Sequence, residues 1–124
     1  GHEGSMTTTH SNSPREAVGR LETLALMAGL DLPARAIREQ IAQSIDVVLQ
    51  QSRFSDGSRR ITSITEIVGL DEDGEVELHE IFGYFRTGTG PGGKIVGEFR
   101  ASGYLPSFID EFIAQGLVTE GDYL

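Results

Sequence analysis

The chain has 124 residues, 38% hydrophobic and 23% charged, with a formal net charge of −9 and no cysteine. That is room for one small domain with one core, and it excludes a disulfide framework and any thiolate metal site. The acidic balance argues against nucleic acid, whose phosphates need clustered Lys and Arg, and the nearly apolar run Leu24 to Leu30 is far shorter than the roughly 20 residues of a membrane span. No basic-then-apolar signal opens the chain, so export is not expected. The absence of a start methionine leads us to expect further sequence upstream.

Ser5 to Ser11 is rich in threonine and predicts an extended strand. Ser13-Pro14-Arg15-Glu16 then places Ser at an N-cap, Pro at the first helical position and Glu three after the cap, a strong helix start. Ala17, Leu21, Leu24, Ala25 and Ala28 recur at helical spacing, and Gly29 sits where a left-handed C-cap is wanted. Asp31 and Pro33 signal a second helix with the stripe Ile37, Ile41, Ile45, Val48 and Leu49, expected to end near Ser52 before the Ser55-Asp56-Gly57 turn. The character then becomes β. Arg60 to Val68 predicts a strand, Asp71 to Gly74 a turn, and Glu75 to Phe85 a second strand. A loop from Thr87 to Gly93 leads to a third, Lys94 to Arg100. Pro106 opens a closing helix with Phe108, Ile109, Phe112 and Ile113 on one face, ended by Gly116.

Several groups of residues suggest chemistry. Gly88-Thr89-Gly90-Pro91-Gly92-Gly93-Lys94 has the glycine and lysine spacing of a phosphate-binding loop. The next residue is Ile95, where Ser or Thr must ligate magnesium, and a strand follows where a helix N-terminus must supply amides. We read it as a hairpin connection. His2, Glu3 and His10 offer imidazole and carboxylate ligands, but on a strand the two histidines stand roughly 26 Å apart at about 3.3 Å per residue. Gly1 to Met6 also reads as vector residues ahead of a native Met6. Arg53, Arg59, Arg60 and Arg100 are candidates for an anion site, against the plainer reading of solvated strand and helix ends. His79, among Glu75, Glu77 and Glu80, reads as an exposed strand residue with a carboxylate neighbour. Asp71, Glu72 and Asp73 lack the alternating ligands and closing Glu of a calcium loop.

One stretch, Gly1-His2-Glu3-Gly4-Ser5-Met6-Thr7-Thr8-Thr9-His10-Ser11-Asn12-Ser13-Pro14-Arg15-Glu16-Ala17, resembles the histidine box of secretion-system traffic ATPases, nearest to the Flp/Tad pilus-assembly branch of the type II/type IV secretion class. The likeness continues through Arg20-Leu21-Glu22-Thr23, Leu32 to Ile41, Ser52-Arg53-Phe54-Ser55-Asp56-Gly57-Ser58-Arg59-Arg60-Ile61-Thr62, Thr65 to Gly69, Gly97 to Gly103 and Pro106-Ser107-Phe108. It covers almost the whole chain. Ser11 and Ser102 stand where that family is expected to carry Ala and Thr, and the Glu75 to Phe85 strand is more acidic than the family pattern.

The resemblance implies an α/β fold: residues 1–124 as the C-terminal fragment of a RecA-like P-loop ATPase domain, with one core strand and two helices, a three-stranded antiparallel unit and a final helix. It implies a hexameric ATPase motor that couples ATP hydrolysis to pilus assembly or protein secretion. Such a motor lies in the cytoplasm, peripheral at the inner face of the cell membrane, against an inner-membrane secretion or pilus platform protein. ATP and Mg would belong to the full-length protein, since the P-loop and Walker B glutamate of that family precede the histidine box; the fragment alone is expected to bind neither. His2 and His10 match the two histidines of the box as catalytic, phosphate-side sensors, with Ser5, Thr8 and Thr9 adding hydroxyl contacts to the cofactor. Two rival readings are a non-catalytic acidic protein-interaction module and an enzyme holding a metal at His2 and His10.

Overall fold

The computed structural model describes residues 4–29 and 31–119. Helix α1 (Pro14–Met27) starts as its sequence dictates. Ser13 Oγ accepts the Glu16 N–H at 3.1 Å, Pro14 occupies the first turn, and the Glu16 carboxylate reaches back to the Asn12 N–H at 2.9 Å. These bonds satisfy donors that a bare helix end would leave unpaired. The helix stops at Ala28 and Gly29, whose φ of +78° suits glycine.

Helix α2 (Ala34–Ser44) ends eight residues short of the expected Ser52, and the chain turns at Ile45 into a strand, β1 (Val47–Arg53). The helical stripe was deceptive here because Ile45 and Val48 reach the same core from either conformation. Leu49, the next member of that stripe, is 59% exposed. The run of β-branched residues in Ile45-Asp46-Val47-Val48 favours extended backbone, and β2 supplies its ladder. Strands β2 (Arg59–Leu70), β3 (Val76–Thr89) and β4 (Ile95–Ala101) follow. They form a four-stranded sheet in the order β1-β2-β3-β4, with every neighbouring pair antiparallel. The expected three-stranded unit therefore gains a strand.

The first strand expected from the sequence, residues 5–11, has no regular secondary structure in its described backbone and is largely exposed. Threonine favours the extended state, but a strand also needs a ladder partner for its amides and carbonyls. No described strand forms a ladder with this stretch.

Both long helices cover one face of the sheet. Val18, Ile67 and Val76 are buried together, with Ile41, Ala42, Ile45, Val48, Leu70 and Leu78 packed around them. Arg38 of α2 binds Glu22 of α1 at 3.1 Å and Glu75 at 3.4 Å, fastening the helices to the β2–β3 turn. On the other face Leu49, Phe82 (36% exposed) and Phe99 (45%) face outward, and Phe82 and Phe99 stack with centroids 5.5 Å apart. Gly97 must stay bare. A Cβ there would lie 2.5 Å from the Phe85 carbonyl oxygen and 2.7 Å from the Tyr84 hydroxyl. The last helix, α3 (Ile109–Ala114), starts later than Pro106 and buries none of its residues; its Phe108–Phe112 ring pair lies at 5.1 Å. No helix among the described residues is long and apolar enough to cross a membrane.

Candidate functional site

The residues singled out from the sequence lie along an exposed strip. Ser5, Thr8, Thr9 and His10 are all exposed, and no side-chain hydrogen bond joins any of them to another described residue. His2 lies outside the described residues, as does Glu3. The pairing of the two histidines therefore falls outside the described residues. The structure does fix where the strip ends. Gln50 of β1, 9% exposed, donates from Nε2 to the Ser11 carbonyl at 3.0 Å, and the Asn12 and Ser13 cap then starts α1. His10 therefore hangs one residue before a pinned point at the sheet edge. Among the described residues no group of three His, Asp or Glu side chains is arranged to hold a metal.

The most elaborate polar cluster is one that the sequence reading missed. Glu66 sits in the middle of β2 at 3% exposure. Its carboxylate accepts hydrogen bonds from the Tyr104 hydroxyl (2.8 Å), the Ser107 N–H (2.9 Å) and the Ser107 hydroxyl. Burial pushes this carboxyl up, and the hydrogen bonds from Ser107 and Tyr104 outweigh it and hold the group below the usual carboxylate value. Desolvation, followed by the bond to Glu66, pushes the Tyr104 hydroxyl up to about 12. His79, opposite Glu66 in the β2–β3 register, stacks on the Tyr104 ring at 4.5 Å and meets Glu77 at 3.2 Å. Ionised, with its acceptor capacity engaged, Glu66 works as an anchor for residues 104–107 and not as a proton-transfer group. Its only signal in the sequence is a carboxylate between Thr65 and Ile67 in a strand with no other acidic residue.

A second clasp closes the opposite end of the sheet. In the β1–β2 turn, Asp56 accepts from the Ser58 N–H at 2.9 Å and, through its other oxygen, from the Ile95 N–H at 2.8 Å. The Ser58 hydroxyl bond, then the amides of Ile95 and Ser58, hold its carboxyl down to about 2. Arg60 donates to the Ile95 carbonyl at 3.1 Å and lies over the rings of Phe54 and Tyr84, 5.8 and 5.3 Å from their centroids. Arg100 is at the far end of β4, paired with Glu98 at 3.3 Å and lying over Phe85 at 4.4 Å. Arg53 and Arg59 face each other across the end of the β1–β2 ladder, beside Arg60, while Arg100 lies apart, so the four arginines considered from the sequence do not form one cluster. Arg53 instead lines a cleft of about 390 Å³ with Phe54, Thr62, Tyr84 and Arg86. The glycine-rich segment 88–94 is a hairpin connection: Gly88 and Thr89 finish β3, residues 91–93 make a single 3₁₀ turn, and β4 follows.

No protein-family model matches the chain. Two curated proteins of Mycobacterium tuberculosis, one from strain CDC 1551 / Oshkosh and one from strain ATCC 25618 / H37Rv, are each 39% identical to it over 64 residues. Both carry the name of a conjugal transfer protein. The aligned stretch is 52% of this chain but only 18% of either relative, so the chain spans less than a fifth of the proteins it matches.

Proposed function

We propose that this chain is the C-terminal part of the motor domain of a traffic ATPase of the type II/type IV secretion class, in the Flp/Tad pilus-assembly branch. The observation that carries this reading is the 39% identity over 64 residues to proteins named for conjugal transfer, a task of type IV secretion machines. The residue pattern from His2 through Ser107 supports the finer assignment. In the full-length protein six copies form a ring against an inner-membrane platform protein, and ATP turnover with Mg drives pilus assembly or export.

In this reading the strip of residues 4–12 is the edge of the nucleotide site. His10 and His2 face the phosphates, and Ser5, Thr8 and Thr9 add hydroxyl donors. The pinning of Ser11 by Gln50 supports it, because a sensing histidine must be held at a fixed distance from a rigid element. The phosphate-binding loop comes from elsewhere in the full-length protein, since segment 88–94 is spent on a hairpin. The test is to sequence the coding region upstream of Gly1 and assay the full-length product. The reading expects a P-loop, a Walker B strand and ATP hydrolysis there; a gene that starts at Met6 overturns it.

A further inference from the structure

The two edges of the sheet are treated differently. At the β1 edge, the register slips between Gln50 and Gln51, Gln50 is tied to Ser11, and α1 packs alongside. Strand β4 closes the other edge; among the described residues no strand pairs with its outer side, and Asp56 and Arg60 take only the N–H and carbonyl of Ile95 at its start. It reads Ile-Val-Gly-Glu-Phe-Arg-Ala, without the proline or inward charge that blunts free edges, and Val96 and Phe99 are 47% and 45% exposed.

The phase of the ladder decides which backbone groups are free. Phe82 lies opposite Ala101, and the Ser102 N–H donates to the Ile81 carbonyl at 2.9 Å. This makes Phe82–Ala101 a non-hydrogen-bonded pair. By alternation Glu98 and Arg100 turn their amides and carbonyls toward β3, and Gly97, Phe99 and Ala101 turn theirs outward.

We propose that β4 pairs antiparallel with β4 of a second copy, about a two-fold axis through Phe99. Phe99 then meets Phe99 of the second copy as a hydrogen-bonded pair, and Gly97 meets Ala101, all through outward-facing groups. Between them Glu98 falls opposite Arg100 of the second copy, twice, at the closer non-hydrogen-bonded spacing. Both side chains are exposed, at 65% and 52%, so their present pairing at 3.3 Å within the strand can pass to the cross-strand partner. The strand is self-complementary in this register alone. An axis at Glu98 or Arg100 opposes like charges and leaves inward-turned backbone groups at the junction, and one at Gly97 sets Arg100 against Lys94. The two-fold also brings two stacked Phe82–Phe99 pairs onto one continuous apolar face. Such a contact is isologous, unlike the heterologous contacts of a ring, and it does not rest on the motor reading.

Sedimentation equilibrium of the 124-residue chain from micromolar to millimolar concentration tests the pairing. The expected result is a concentration-dependent dimer. Glu98→Arg and Arg100→Glu should each weaken it roughly tenfold by opposing like charges at two symmetry-related pairs; the double variant Glu98→Arg/Arg100→Glu should restore it. Circular dichroism checks that each variant folds, and Phe99→Pro, which removes the outward N–H together with the ring stacked on Phe82, should abolish the dimer. In amide exchange Phe99 and Ala101 should gain protection on dimerisation, while Glu98 and Arg100 stay protected throughout. A monomer at millimolar concentration, a dimer indifferent to the charge variants, or a dimer with an unprotected Phe99 amide would each overturn the proposal.

Discussion

A carboxylate only 3% exposed stays ionised when donors replace the water it has lost, and Glu66 has the Tyr104 hydroxyl and both the N–H and hydroxyl of Ser107. Glu66→Gln puts an amide donor against these donors. We expect it to lower the unfolding free energy by about 1–3 kcal/mol, read from urea denaturation, and a change below about 0.5 kcal/mol would contradict the anchoring role. Because the folded carboxyl lies below its ordinary value of 4.5, its contribution is fully present above that pH. It is lost as pH falls through the lower folded value, since the unfolded state then binds the proton more readily. Asp56 follows the same sign, over a window from 3.8 down to about 2. It is a turn residue, and its effect is local: Asp56→Asn should speed hydrogen exchange at the Ile95 amide, with the core amides of β2 unchanged. Equal exchange at Ile95 in both proteins would remove Asp56 from the clasp. Neither role was legible in the sequence. Glu66 meets Tyr104 and Ser107 across separations of 38 and 41 residues, and Asp56 meets Ile95 across 39.

Among the elements, those written in local chemistry were legible. Ser13-Pro14 with Glu16 starts α1 where expected, and Asp71 accepts the Asp73 and Glu75 amides to close the β2–β3 turn. β1 was hidden because Ile45 and Val48 serve the core at helical spacing and in an extended chain alike, so only the ladder with β2 decides between them. Residues 5–11 fail as a strand for the converse reason: propensity without a partner. This gives an exchange prediction. In the 124-residue chain the amides of Thr7 to Thr9 should exchange close to the rate of an unstructured peptide, whereas in the full-length protein, where the proposed motor supplies neighbouring strands, they should be strongly protected. Strong protection in the monomeric 124-residue chain would contradict both the exposed strip and its proposed completion.

On the scale of the molecule, two helices cover one face of a four-stranded antiparallel sheet, and residues 104–107 cross part of the other. The two clasps, Glu66 with Tyr104 and Ser107 and Asp56 with Ile95, hold the second face where the helices do not reach. The strip that carries His10 leaves from the sheet edge beside Gln50, free to meet whatever completes it. We propose that it completes an ATPase site, and the steady-state ATPase rate of the full-length protein with His10→Ala tests this. Loss of one transition-state donor should lower kcat roughly 10²-fold or more, with KM little changed and oligomeric state intact. A kcat within twofold of the parent protein would overturn the proposal.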